Sequence, residues 1–211
     1  MRYVAATLLA ALSVQAYHAS SHPLNLGQRA LLVHAHEYHA GCPVPLSGLR
    51  MLSVSYWGFD HHVHQGTMVV NANAVGPLTI VFHKLYDMRF PIDYMSLEDA
   101  YGPHPPASGD VTASFECRDA VASPCSSGTS TGNWSEHAYG EAVDLNPVEN
   151  PYVGCGQTRD KTAVSFMKRT PLRRGMVTPA VLAAFHSVGW GWGGSWAGST
   201  KDYMHFSQSG H

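Results

Sequence analysis

The stretch SEHAYGEAVDLNP, Ser135 to Pro147, brings a histidine close in sequence to a carboxylate set among apolar residues, and the fold can be read outward from it. His137 and Asp144 stand seven residues apart, with Gly140 between them to allow a turn. Asp144 lies within Ala-Val-Asp-Leu, where a bare carboxylate is destabilising and requires a cation or several hydrogen-bond donors. Zinc would satisfy it, and a neutral His137 imidazole could share the ion. The third candidate is His205, in KDYMHF, with Asp202 three residues before it, near enough to share the site without being a ligand. Two His and one Asp leave a fourth coordination position open, the pattern of a catalytic rather than a structural zinc. Water there would have its pKa lowered to about 7. Asp202 could take the water's proton and pass it to a leaving amine. Arg118, in SFECRD, is a candidate for holding a developing oxyanion or a substrate carboxylate. Plain structural readings stand beside these: His137 could cap a turn, Asp144 could accept backbone N–H groups, and Asp202 with Lys201 could be surface charges.

The surrounding elements mix types. Leu49 to Tyr56 reads as a strand, followed by a turn over Trp57 to Gly66 and a second strand around Met68 to Asn71. Pro77 can open a helix whose Leu78, Val81, Phe82 and Leu85 share one face. Val111 to Phe115 and Ala142 to Leu145 read as short strands, separated by a Ser/Thr/Gly-rich loop over Pro124 to Gly132. Thr178-Pro179 is an N-cap signal before Val181, Leu182, Phe185 and Val188, and Gly189 closes that helix. A helical stretch near Leu26 to His39, an aromatic turn over Gly191 to Trp196 and a final strand over Tyr203 to Phe206 complete the list. Strands and helices do not alternate regularly, so the expectation is a single α+β domain.

Composition narrows the function. The chain has 211 residues and a net charge of −2, which argues against nucleic acid, because phosphate contact calls for a basic surplus. Fourteen His exceed the thirteen Lys and Arg, which makes a metal site worth seeking. Arg2, an apolar run from Val4 to Val14, and Val14-Gln15-Ala16 form an export signal over residues 1–16. The run is about half of what a membrane helix needs. A secreted, soluble mature protein is expected, with an extension over 17–41 and a zinc domain over 42–211. Cys42, Cys117, Cys125 and Cys155 lack C-x-x-C spacing, so in an oxidising compartment they form two disulfides, with three pairings possible. HEYH, His36 to His39, fails as a zinc motif because its second His comes one residue early. His61, His62 and His64 read as a solvated turn.

SEHAYGEAVD, GWGWGGSW and DYMHF together resemble the zinc-dependent D-alanyl-D-alanine carboxypeptidase family, whose relatives include D-Ala-D-Ala dipeptidases and L-alanyl-D-glutamate endopeptidases of phage. The family motif S-x-H-x-x-G-x-A-x-D matches Ser135, His137, Gly140, Ala142 and Asp144, and its acidic-x-x-His motif matches Asp202 and His205. YWGFDHHVHQGTMVVN, LYDMRFPI, SFECR and DLNPVENPY extend the likeness over roughly 42–206. The resemblance implies one Zn²⁺ held by His137, Asp144 and His205, with Asp202 as general base and Arg118 as transition-state stabiliser. It implies a central antiparallel sheet flanked by helices, as in hedgehog-type domains. Ser135 and Trp192 are the candidate substrate-binding residues, Trp192 within an aromatic wall with Trp190 and Trp196. The implied activity is peptide-bond hydrolysis in peptidoglycan stem peptides by a monomeric enzyme. Many relatives carry Glu at the base position, and Asp202 is the form typical of the endopeptidase branch. An L-alanyl-D-glutamate-type endopeptidase is therefore the alternative with the same chemistry, and a non-catalytic zinc-stabilised binding domain is the other. Asp202 and Arg118 favour the enzyme, since a binding module has no use for a base beside the ion.

Overall fold

The computed structural model describes residues 15–96 and 109–211; the export-signal reading therefore falls outside the described residues except at Gln15 and Ala16. The architecture is α+β, with helices beside several small antiparallel sheets. Strand β1 (Ala19–Pro23) pairs with β2 (Leu49–Trp57), which pairs with β3 (Val63–Asn71). Helix α1 (Leu26–His34) joins β1 to β2, and α2 (Val75–Asp87) follows β3. A ribbon of β4 (Asp119–Val121) and β5 (Ser130–Trp134) leads into one helical turn, α3 (Glu136–Tyr139), and then β6 (Ala142–Asp144). After β7 (Tyr152–Val153) come α4 (Pro179–His186), β8 (Gly191–Trp192), β9 (Lys201–Asp202) and β10 (His205–Ser207). A second three-stranded sheet has the order β6-β10-β8, and β7 pairs with β9. The antiparallel sheet expected to be single and central is thus divided between two three-stranded sheets and two ribbons.

Apolar periodicity accounts for most of this. Leu78, Val81, Phe82 and Leu85 of α2 are buried, with Leu52, Val54, Met68 and Val70 of the hairpin in the same core. That helix begins two residues before Pro77; a proline in the first turn removes an N–H that has no intrahelical partner anyway. In α4, Thr178 accepts a hydrogen bond from the Val181 N–H, as its N-cap position requires. Phe185 then stacks on Phe206 of β10, with ring centroids 3.7 Å apart, fixing the strand next to His205 in the core.

Other elements carry no such pattern. All five residues of β1 are exposed, so this strand forms through its backbone ladder to β2 and left no alternation to read. It makes part of the presumed extension an edge of the first sheet. Helix α1, expected as far as His39, stops at His34, and His36 adopts a left-handed φ of 63°. β3 begins at Val63 rather than Met68, because its polar first half is held by cross-strand pairing from Trp57↔Val63 onward. Val111 to Phe115 forms isolated bridges, Tyr94↔Val111 and Ala113↔Asp144, instead of a full strand. The cysteines pair as Cys42–Cys117 and Cys125–Cys155.

Candidate metal centre

Two of the three expected donors meet through strand register. In the antiparallel β6–β10 pair, His205 lies directly opposite Asp144. The third arrives from α3. Ser135 caps this turn, its hydroxyl accepting the His137 N–H at 3.3 Å. Gly140 ends the turn at a left-handed φ of 67°, and a Cβ there would stand 2.6 Å from the Asn71 backbone nitrogen. Only glycine allows the chain to turn so close to the end of β3 and return His137 over β6.

The resulting triangle is tight. His137 Nε2 is 3.2 Å from Asp144 Oδ1, His205 Nδ1 is 3.3 Å from the same oxygen, and the two ring nitrogens are 3.2 Å apart. A tetrahedral zinc with ligands at about 2.0–2.1 Å holds its donors about 3.3–3.4 Å apart, so the triangle has the dimensions of one face of such a site. The outer hydrogen bonds agree. His137 Nδ1–H donates to the Ser114 carbonyl at 2.5 Å, and His205 Nε2–H donates to the His211 carbonyl at 3.0 Å. Each imidazole then turns a bare nitrogen toward the carboxylate, the arrangement that orients histidine ligands. Three lone-pair donors facing one another repel unless a cation stands among them. A proton can partly serve: burial pushes the His137 pKa down, but Asp144 outweighs burial and the net shift is upward. Burial likewise raises Asp144, and the two imidazoles overcome it and hold its carboxyl far below the usual range.

Asp202 lies beside this triangle, on β9 opposite Tyr152. Burial and the neighbouring Asp144 carboxylate push its pKa up to about 7. Its Oδ1 is buried without a hydrogen-bond partner among the described residues. Gly193 makes room for it: a Cβ there would come within 2.6 Å of the Asp202 carbonyl oxygen. Arg118 faces the same space, with Nε donating to Glu116 Oε2 at 2.5 Å and a terminal N–H to the Asp119 carbonyl at 3.2 Å. Burial lowers its pKa but Glu116 more than restores it, so the guanidinium stays charged.

A cavity of about 370 Å³ gathers His137, Asp144, His205, Asp202, Arg118 and Ser135. Trp192 is not among the residues lining it. Its indole N–H donates to the Tyr203 carbonyl at 2.9 Å and its ring packs near Phe206, so it braces β10 from behind. Trp196, Trp134, Tyr152 and Val121 form the aromatic and apolar walls instead. The Gly-rich run signals Trp196. Trp134 and Tyr152 carry no signal in the sequence, because the ribbons that hold them have no periodic pattern. Of the other histidines, His39 approaches Cys42 and Cys117, but their disulfide removes the thiolates a metal would need.

No curated protein and no solved structure matches the chain. Residues 128–208, the segment holding His137, Asp144, Asp202 and His205, match the model of the D-alanyl-D-alanine carboxypeptidase family.

Proposed function

We propose that this protein is a secreted zinc metallopeptidase that hydrolyses peptide bonds in peptidoglycan stem peptides. The family match supports a peptidase of the D-alanyl-D-alanine carboxypeptidase type. The observation that carries the finer reading is the donor triangle of His137, Asp144 and His205 with the unpartnered Asp202 oxygen at its side. When bound there, Zn²⁺ supplies Lewis acidity, polarising a carbonyl and making water acidic enough to deprotonate near neutral pH. Asp202 accepts the proton of the attacking water on Oδ1 and returns it to the leaving nitrogen. Arg118 donates N–H groups to the oxyanion that develops on the scissile carbonyl, in a cavity where hydrogen bonds gain strength from reduced solvent. Ser135 acts on the substrate only indirectly, by capping the turn that presents His137. Trp196 and Trp134, both lining the cavity, offer aromatic surface to the peptide. A binding module would leave Asp202 buried for no return.

Two disulfides agree with an oxidising compartment. No described helix is long and apolar enough to cross a membrane.

The test is digestion of purified muropeptides followed by mass spectrometry. A chelator is expected to abolish hydrolysis and added Zn²⁺ to restore it. Asp202→Asn is expected to retain the metal and lose about 10²–10⁴-fold in kcat. Hydrolysis indifferent to the chelator would refute the reading, and loss of metal in Asp202→Asn would make Asp202 a ligand rather than the base.

A further inference from the structure

The β4–β5 ribbon forms one wall of the cavity through Ala120, Val121 and Trp134, and Arg118 leads into it. Very little apolar packing holds it there. Every residue of β5 is exposed, and those of β4 are at most half-buried. The ribbon is instead cross-linked at two points. Cys117, which immediately precedes Arg118, is bonded to Cys42, and Cys125, in the loop between the two strands, is bonded to Cys155. Cys155 lies two residues beyond β7, whose ribbon with β9 carries Tyr152 and Asp202. Polar contacts follow the same line: one Arg159 nitrogen donates to the carbonyls of Ser123, Ser126 and Gly128, and Gln157 donates to the Pro124 carbonyl at 2.8 Å. By contrast, Asp144 and His205 are fixed by the β6–β10 ladder, and His137 by α3 and by hydrogen bonds to Ser114 and Glu116, none of which includes a disulfide cysteine.

We propose that the two disulfides are positioning devices for the cleft wall. Cys42–Cys117 holds Arg118 at the cavity, and Cys125–Cys155 ties the β4–β5 ribbon to the ribbon bearing Asp202. Catalytic efficiency then depends on both bonds being oxidised, kcat through Cys42–Cys117 and KM through Cys125–Cys155, and metal binding depends on neither. The inference rests on the peptidase reading for the role of Arg118, but the location of the wall is independent of it. The two bonds differ in access: both sulfurs of Cys125–Cys155 belong to exposed residues, whereas Cys117 is buried. Reduction should therefore proceed in two stages, the exposed bond first.

The experiment uses the folded, zinc-loaded protein and a water-soluble phosphine. The phosphine is oxidised to its oxide, taking oxygen from water, while each S–S bond gains two electrons and two protons. The first stage is expected to raise KM as the wall loosens. The second is expected to lower kcat on the order of 10²-fold, the effect of misplacing a group by about 1 Å. The zinc content should stay at that of the oxidised protein throughout. Cys42→Ser with Cys117→Ser should reproduce the kcat loss. In an Arg118→Ala background the same pair should cost no more than about twofold further, because the two changes act through one group. Hydrogen exchange provides a readout without substrate: amides of 118–134 should exchange faster on reduction while those of 137–145 and 205–207 do not. Additive losses, unchanged kcat after full reduction, loss of zinc with the disulfides, or exchange rising equally in both regions would each overturn the proposal. An oxidised wild type that cleaves no stem peptide would count against the peptidase reading instead, and the exchange pattern would still decide whether the staples hold the wall.

Discussion

The floor and the wall of this cavity are built by opposite means. The floor, from α3 to β6 and β10, is held by burial: Val143 and Phe206 lie in the main core next to Asp144 and His205, and cross-strand register sets His205 against Asp144. The wall, from Arg118 through Trp134, is a ribbon whose strand β5 is fully exposed, held by cross-links and by Arg159. A metal ligand must keep its place to within a few tenths of an ångström, and packed cores provide that rigidity. A wall that admits a peptide must stay open to solvent, so it cannot draw on burial and relies on covalent bonds.

The contrast can be broken first at the floor. His205→Ala should remove one corner of the triangle, and the bound zinc with it; metal analysis should show none retained and hydrolysis should disappear. Retention of a full equivalent of zinc would mean that the three donors do not act together. Arg118→Ala tests the wall and should be milder, a loss of about 10²–10³-fold in kcat with zinc intact. Metal loss in that variant would show that wall and floor are one unit.

Ser135→Ala separates support from chemistry within the floor. Losing this cap should cost about 1 kcal/mol and lower the Tm by roughly 2–4 °C. Kinetics should change far less than in Arg118→Ala, since the hydroxyl serves the His137 backbone N–H. A selective collapse of kcat at unchanged Tm would restore Ser135 as a substrate contact.

The smallest effect concerns Glu149, just past the floor. Burial and the adjacent Asp110 carboxyl raise its pKa to about 8. The folded state therefore holds a proton that the unfolded state has lost, and this contribution to stability declines as pH rises from the ordinary Glu range through about 8. Glu149→Gln keeps a donor toward Asp110 and should show a flatter stability profile across that window in denaturant titrations. An unchanged profile would remove Glu149 from the account.

The amino-acid sequence by itself pointed to the candidate donors His137, Asp144 and His205 with Asp202 beside them, and to the two amphipathic helices. Those signals are local: a motif within thirteen residues, an acidic-x-x-His step across one turn, and apolar spacing along α2 and α4. It also showed that four cysteines would pair, but not how. Tertiary structure alone decided the disulfide pairing, the division of the sheet, the edge strand β1 and the choice of Trp196 and Trp134 over Trp192 as cavity walls. Each depends on contacts between residues far apart in the chain, made by exposed backbone or by covalent bonds. Neither leaves an apolar period behind, because nothing is buried at every second or fourth position when a strand is held by its ladder or a ribbon by its sulfurs.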